Sequence, residues 1–206
     1  MAGNPALRLW IVNTQTHLLL ASAVLGRRAS GPEQAAILAG ALAPDLSIFA
    51  LAGFGAVTGM SGEAMWEGAY WSEPWQILSA ISNSVPLWGA GLALALLVLP
   101  PRWRRIAALF CGAALLHLAF DLPVHAEDAH RHFWPLTDWR FRAPVSYWDP
   151  AYYGRWVSAV EAVGGLALAG LLWRRHRRPR ARVALGLAAL SYVAVPVFWI
   201  VSLGGA

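Results

Sequence analysis

The residues of this chain able to do chemistry are histidines and aspartates set inside apolar sequence. In His117-Leu118-Ala119-Phe120-Asp121 an imidazole and a carboxylate stand four residues apart, so one face of one helix presents both, and such a pair can share a cation. His125 lies a turn further on, out of reach of the same ion in a straight helix. Pro123, however, removes a backbone donor and disfavours helical geometry at Leu122. The spacing therefore predicts a break there, with His125 folding back and Asp128, His130 and His132 following closely.

Two more ionisable groups sit at comparable depth, His17 and Asp45. A lone Asp near the centre of a bilayer costs about 3 kcal/mol, and the usual reason to tolerate it is an inward-facing role with a partner. Asp45 follows Pro44, so it reads either as the cap of a half-helix after a kink or as a ligand. His17 alone reads as a hydrogen-bonded interior histidine. As a set on three separate segments, His17, Asp45, His117 and Asp121 give a nitrogen and carboxylate shell suited to a divalent metal, zinc first, with iron or manganese as alternatives. A metal-free network of paired polar groups is the competing arrangement. A bound ion would acidify water and polarise a carbonyl or phosphoryl group, which points to hydrolysis.

Around this set, Asp128 or His125 would complete the shell or serve as base. Arg131, Arg140 and Arg142 are close enough in sequence to grip a phosphate, although solvated loop charges read the same way. Glu161 would orient a ligand from behind, act as a base or pair with a loop Arg.

The elements that must position these groups are membrane helices. Of the 206 residues, 58% are hydrophobic and 13% charged, far from the balance of a water-soluble domain. Six nearly uncharged runs lie at about 9 to 25, 35 to 55, 76 to 99, 106 to 124, 156 to 173 and 183 to 203. They are continuously apolar, without the alternation of a membrane barrel. The expectation is an all-α polytopic transmembrane bundle of about six spanning or partly spanning helices, forming a single integral membrane domain over residues 1–206. Polar residues from Asn13 to His17 interrupt the apolar stretch that a cleavable leader ending at Ala21-Ser22-Ala23 would need, so no cleavage is expected.

The net charge of +5 comes from Arg alone, since the chain has no Lys. Arg27 and Arg28, then Arg102, Arg104 and Arg105, then the run Arg174 to Arg182 flank apolar segments as topological signals, so the basic balance is expected to orient helices and not to bind nucleic acid. If all six runs cross, these loops share one side, the cytoplasmic one. The acidic loop 56–75 and the segment 125–155 then share the other. The latter, with Trp156 just after it, carries Trp134, Trp139, Tyr147, Trp148, Tyr152 and Tyr153, rings that favour the headgroup layer, and reads as an interfacial extracytoplasmic segment. Asp149-Pro150 matches a helix start, with Asp149 as cap. Cys111 has no partner for an intrachain disulfide.

The order Asn13-Thr14-Gln15-Thr16-His17, Gly40 to Pro44-Asp45, His117-xxx-Asp121, Phe133-Trp134-Pro135 and Pro144 to Asp149-Pro150 resembles the YdjM-like inner-membrane metal-dependent hydrolases over most of residues 13–155. The resemblance implies a multi-pass protein of the bacterial inner membrane with a His/Asp metal centre and hydrolase activity. Members often carry an Arg-Gly-x-Thr-His-Ser element, whereas the stretch Ser79-Ala80-Ile81-Ser82-Asn83-Ser84 has no His and so lacks that ligand. The expectation is a metal-dependent hydrolase acting on a lipid-like or amphipathic ester or phosphoester, with Arg131, Arg142 and Trp148 toward substrate and membrane lipid as its surroundings. The rival is a non-catalytic carrier or assembly partner that binds or relays an ion or proton through a buried His/Asp network, which would need polar residues reaching the Arg-rich face.

Overall fold

A computed structural model describes residues 12–202, and their side chains over 14–194. Among the described residues the chain is helical, with no strand. The helices are α1 (Val12–Leu25), α2 (Gly31–Leu42), α3 (Leu46–Thr58), α4 (Glu73–Ser82), α5 (Val85–Val98), α6 (Pro101–Asp121), α7 (Gly154–Arg175) and α8 (Pro179–Ser202). Four helical stretches are long and apolar enough to cross a membrane: Gly31–Thr58, Glu73–Val98, Pro101–Val124 and Gly154–Arg175. The chain is a membrane protein built as an all-helical bundle. The runs at 9 to 25 and 183 to 203 fall on α1 and α8, and residues 9–11 and 203 lie outside the described residues.

Breaks within the spans occur where sequence places helix breakers. A single tight turn, Ala43–Asp45, separates α2 from α3 at Pro44. Asn83 and Ser84 divide α4 from α5, and the Ser84 hydroxyl accepts from Leu87 N to restart the helix. Helix α6 ends at Asp121 and runs on as a tight helical turn over Leu122–Val124. Leu122 stays helical at φ −47° and ψ −45° despite Pro123 after it, so the expected break falls later, at His125, which is extended at φ −108° and ψ 111°. Asp149 accepts from Ala151 N, so it does cap, but the cap serves the short turn Pro150–Tyr152. Helix α7 begins beyond it, after Tyr153 at φ 63°.

Close approach of α2 to α6 is the packing event that matters for the site. A side chain on Gly40 would strike the Phe110 backbone carbonyl, and Ile37, Ala41 and Ala113 are fully buried beside it. Small residues let membrane helices meet at backbone distance. Here that meeting brings the Ala41 carbonyl onto α6.

The Arg-rich segments collect at one end, where Arg105 pairs with Glu33 and Arg175 donates to Ala23 O at 2.9 Å. The 64–73 and 125–149 segments collect at the other, tied by Arg131 to Glu73 at 3.1 Å, and Arg140 donates to Gln76 Oε1 on α4 at 2.8 Å.

Candidate metal centre

Helix α6 ends inside the bundle with His117 and Asp121 on one face, and α1 presents His17 to the same point. His17 Nε2 lies 2.9 Å from Asp121 Oδ1, and His117 Nε2 lies 2.9 Å from Asp121 Oδ2. The two imidazoles stack, centroids 3.6 Å apart and 14° from parallel. All three residues are buried, and one ligand atom from each lies within 4.8 Å of the others, the spacing of a metal-binding group.

Asp45 does not cap α3 with its side chain. Its Oδ1 instead sits 3.6 Å from His117 Nε2, while Oδ2 accepts from the Thr14 hydroxyl at 2.6 Å. Two carboxylates thus converge on one ring nitrogen, an arrangement that requires positive charge between them.

The protonation of His117 sharpens this. Its Nδ1 lies 2.7 Å from Ala41 O. A carbonyl oxygen accepts and never donates, so Nδ1 carries the hydrogen, and in a neutral ring Nε2 is then a bare lone pair. That lone pair faces Asp121 Oδ2 and Asp45 Oδ1, which are acceptors too. Either a second proton on the ring or a metal ion must lie between them. An imidazole fixed by a backbone carbonyl on one nitrogen with the other free for an ion is the usual arrangement of a histidine ligand. His17, whose Nδ1 is buried without a hydrogen-bond partner, supplies a second nitrogen. The donor set therefore fits a divalent ion held by His17, His117 and Asp121, with Asp45 adjacent.

Where the chain leaves the helical turn, His125 does come back toward Asp121. Its Nε2 comes to 3.8 Å from Asp121 Oδ2, and its Nδ1 to 3.0 Å from Asp128 Oδ2. The same Asp128 oxygen accepts from Trp148 Nε1 at 3.0 Å. Burial works against a charge on His125, but Asp128 through its charge and hydrogen bond, with Asp121 behind it, holds the imidazole pKa above its usual value. His130 goes the other way. Burial first, and then the nearby His125 and His132, draw it down to about 3, and burial draws His132 to about 4. Both are neutral near pH 7, and the Ser79 hydroxyl lies 3.1 Å from His130 Nδ1.

A cavity of about 190 Å³ adjoins these groups, lined by His17, Asp45, Asp121, His125, Asp128 and His130 on one side and by Trp66, Tyr70, Trp71 and Trp148 on the other. Arg131 and Arg142 do not line it. Arg131 is held by Glu73 and by Asp138 at 3.4 Å, and Arg142 is exposed, 3.7 Å from Glu127. Trp148 does line it. Glu161 accepts from Thr16 at 2.6 Å, and Thr16 also bonds Tyr192 at 2.5 Å, so Glu161 ties α7 to α1 one residue from His17.

Thr14 and Tyr147, named in the sequence only within a motif and among the interfacial aromatics, were not expected at the site. Thr14 is three residues before His17, hence on the same helix face, and that spacing was the available signal. Nothing in the spacing marks Tyr147, which reaches the cavity through the irregular segment. No family model, curated protein or solved structure matches this chain.

Proposed function

We propose that this chain is a metal-dependent hydrolase of the bacterial inner membrane, of the YdjM-like kind, acting on a lipid-like or amphipathic ester or phosphoester. The observation that carries the reading is the buried group His17, His117 and Asp121, one ligand atom from each lying within 4.8 Å of the others, with His117 held through Nδ1 by Ala41 O. His17, His117 and Asp121 would hold the ion, zinc before iron or manganese, with Asp45 beside them. When bound, such an ion acidifies water and polarises a carbonyl or phosphoryl oxygen.

The chain's own groups supply the rest. Asp128 fixes the hydrogen of His125 on Nδ1, which leaves Nε2, on the Asp121 side, to take up and return a proton. Trp148 holds Asp128 in place. The aromatic rim suits a molecule that enters from the headgroup layer. By the positive-inside rule the Arg-rich end is cytoplasmic, and the cavity opens on the opposite side.

The carrier reading would need polar groups from the centre to the Arg-rich end. Along α1, α2 and α6 the residues between are Ala21, Ile37, Ala41 and Ala113, packed with Leu18, Leu109 and Leu116. That apolar layer favours a closed pocket.

Metal analysis of the purified protein beside an Asp121→Ala variant tests the proposal. Near-stoichiometric zinc, iron or manganese in the parent and its loss in the variant are expected. A parent that stays metal-free after zinc reconstitution, or a variant with unchanged content, overturns it.

A further inference from the structure

A second cavity, of about 280 Å³, lies between α1, α6 and α7 with walls of Leu20, Phe120, Val124, Val157, Val160 and Leu168. His17, Asp121 and Tyr147 line this cavity as well as the aromatic one, so these three residues form the wall the two cavities share. One cavity is rimmed by indoles and phenols, and the other is hydrocarbon except at that shared wall and at Thr16 and Glu161, which are bonded to each other.

The apolar crevice opens outward along the seam between α6 and α7. Phe120 is 52% exposed and Val160 73% exposed at its mouth. Gly164 leaves the seam open, since a side chain begun there would meet nothing within 4 Å. Both helices belong to membrane spans, so the medium at this mouth is lipid hydrocarbon.

We propose that the crevice receives one acyl chain of a bilayer lipid, with the polar end of that chain brought to His17 and Asp121 and the headgroup in the aromatic cavity. A flexible methylene chain gains dispersion contacts along the apolar walls without burying a polar atom. Its ester or phosphoester end arrives where the polar groups are. The occupant is thus a lipid of the surrounding membrane. The position of the reacting bond rests on the hydrolase reading, whereas occupancy by the chain does not.

Vesicles of phosphatidylethanolamine and phosphatidylglycerol, containing a trace of phosphatidylglycerol with a mid-chain diazirine, provide the test. After irradiation, adducts are expected at Leu20 and Leu168, on the crevice walls, at least as often as at Val163, which is 70% exposed on the outer face of α7. Gly164→Phe should fill the mouth and lower the Leu20 and Leu168 adducts about tenfold, the change that a loss of ~1.4 kcal/mol of binding produces, and leave Val163 labelling unchanged. Gly164→Ala should preserve the parent pattern. An unchanged unfolding midpoint in Gly164→Phe shows that the fold is intact, and if that variant does not fold, the parent pattern decides. Adducts confined to Val163, or crevice labelling that survives in folded Gly164→Phe, overturn the proposal. Absence of metal with crevice labelling intact sinks the hydrolase reading alone, and the reverse result sinks the crevice alone.

Discussion

Two groups of imidazoles meet at this site, and they are held in different ways. His17 and His117 stand on α1 and α6, and their directions follow from helix register and from the Ala41 carbonyl. His125, His130 and His132 stand on irregular chain, fixed by separate bonds: Ala143 N to His125 O at 2.9 Å, Val85 N to His132 O at 2.8 Å, and the Ser79 hydroxyl beside His130. The rigid pair shares one carboxylate and suits an ion that must not move. In the outer group, burial keeps His130 and His132 neutral, and Asp128 leaves His125 as the member inclined to accept a proton. The contrast assigns binding to the spans and proton handling to the segment above them.

Removing one imidazole from each group separates the two roles. His117→Ala is expected to weaken zinc binding more than about 100-fold, beyond the loss from deleting a group that only supports a ligand. His125→Ala should retain zinc and lower turnover of p-nitrophenyl palmitate or bis-p-nitrophenyl phosphate by about 10²- to 10⁴-fold, the usual contribution of a positioned acid or base. Competitive titration against a chelator reads the first effect, and steady-state rates on zinc-loaded protein read the second. Equal zinc loss in both variants would merge the groups into one ligand set and abolish the contrast.

The same division explains what could be seen in the sequence. Groups on regular helices were legible: His117 and Asp121 share a face because they are four residues apart, and apolar continuity around His17 and Asp45 marked their depth. That the helix stops near Pro123 was legible, but its place was not: Leu122 stays helical ahead of the proline, and the chain becomes extended only at His125. Which neighbours the loop arginines choose was not. Arg131 and Arg142 are near the centre in sequence, yet their guanidiniums meet Glu73, Asp138 and Glu127, partners set by tertiary folding. Asp45 left two readings open, since Pro44 beside it allows a cap as easily as an inward carboxylate. Only the approach of α2 to α6 across Gly40 decides it. Tyr147 belongs to a segment whose path depends on long-range bonds such as Tyr147 N to Val124 O at 3.0 Å, which leave no local pattern.

A smaller effect tests how the rigid group is braced. Thr14 donates to Asp45 at 2.6 Å, and Thr14→Val keeps the shape while deleting the donor. Zinc affinity should fall about tenfold, in the range for losing a group that orients a neighbour of the ion. An unchanged affinity would remove Asp45 from the neighbourhood of the ion and leave His17, His117 and Asp121 as the set.

The mildest change acts on the outer group through pH. Asp128 is the main influence raising the His125 pKa against burial, and Asp128→Asn removes its charge while the amide oxygen can still accept from Trp148 Nε1. If His125 acts as base, the enzyme works with that ring neutral, so the rate climbs as pH rises through the His125 pKa. In the parent that climb lies above the usual imidazole value, because the folded ring holds its proton more tightly. Without the Asp128 charge burial prevails, the pKa falls, and the rising limb moves toward acid pH. Turnover on the alkaline plateau should change by less than about tenfold, since the base is neutral there in both forms. The pH profile of kcat for zinc-loaded parent and variant measures the displacement. A limb that stays in place, or moves toward alkaline pH, would take the proton away from His125 and with it the separation between an ion-holding group in the spans and a proton-handling group above them.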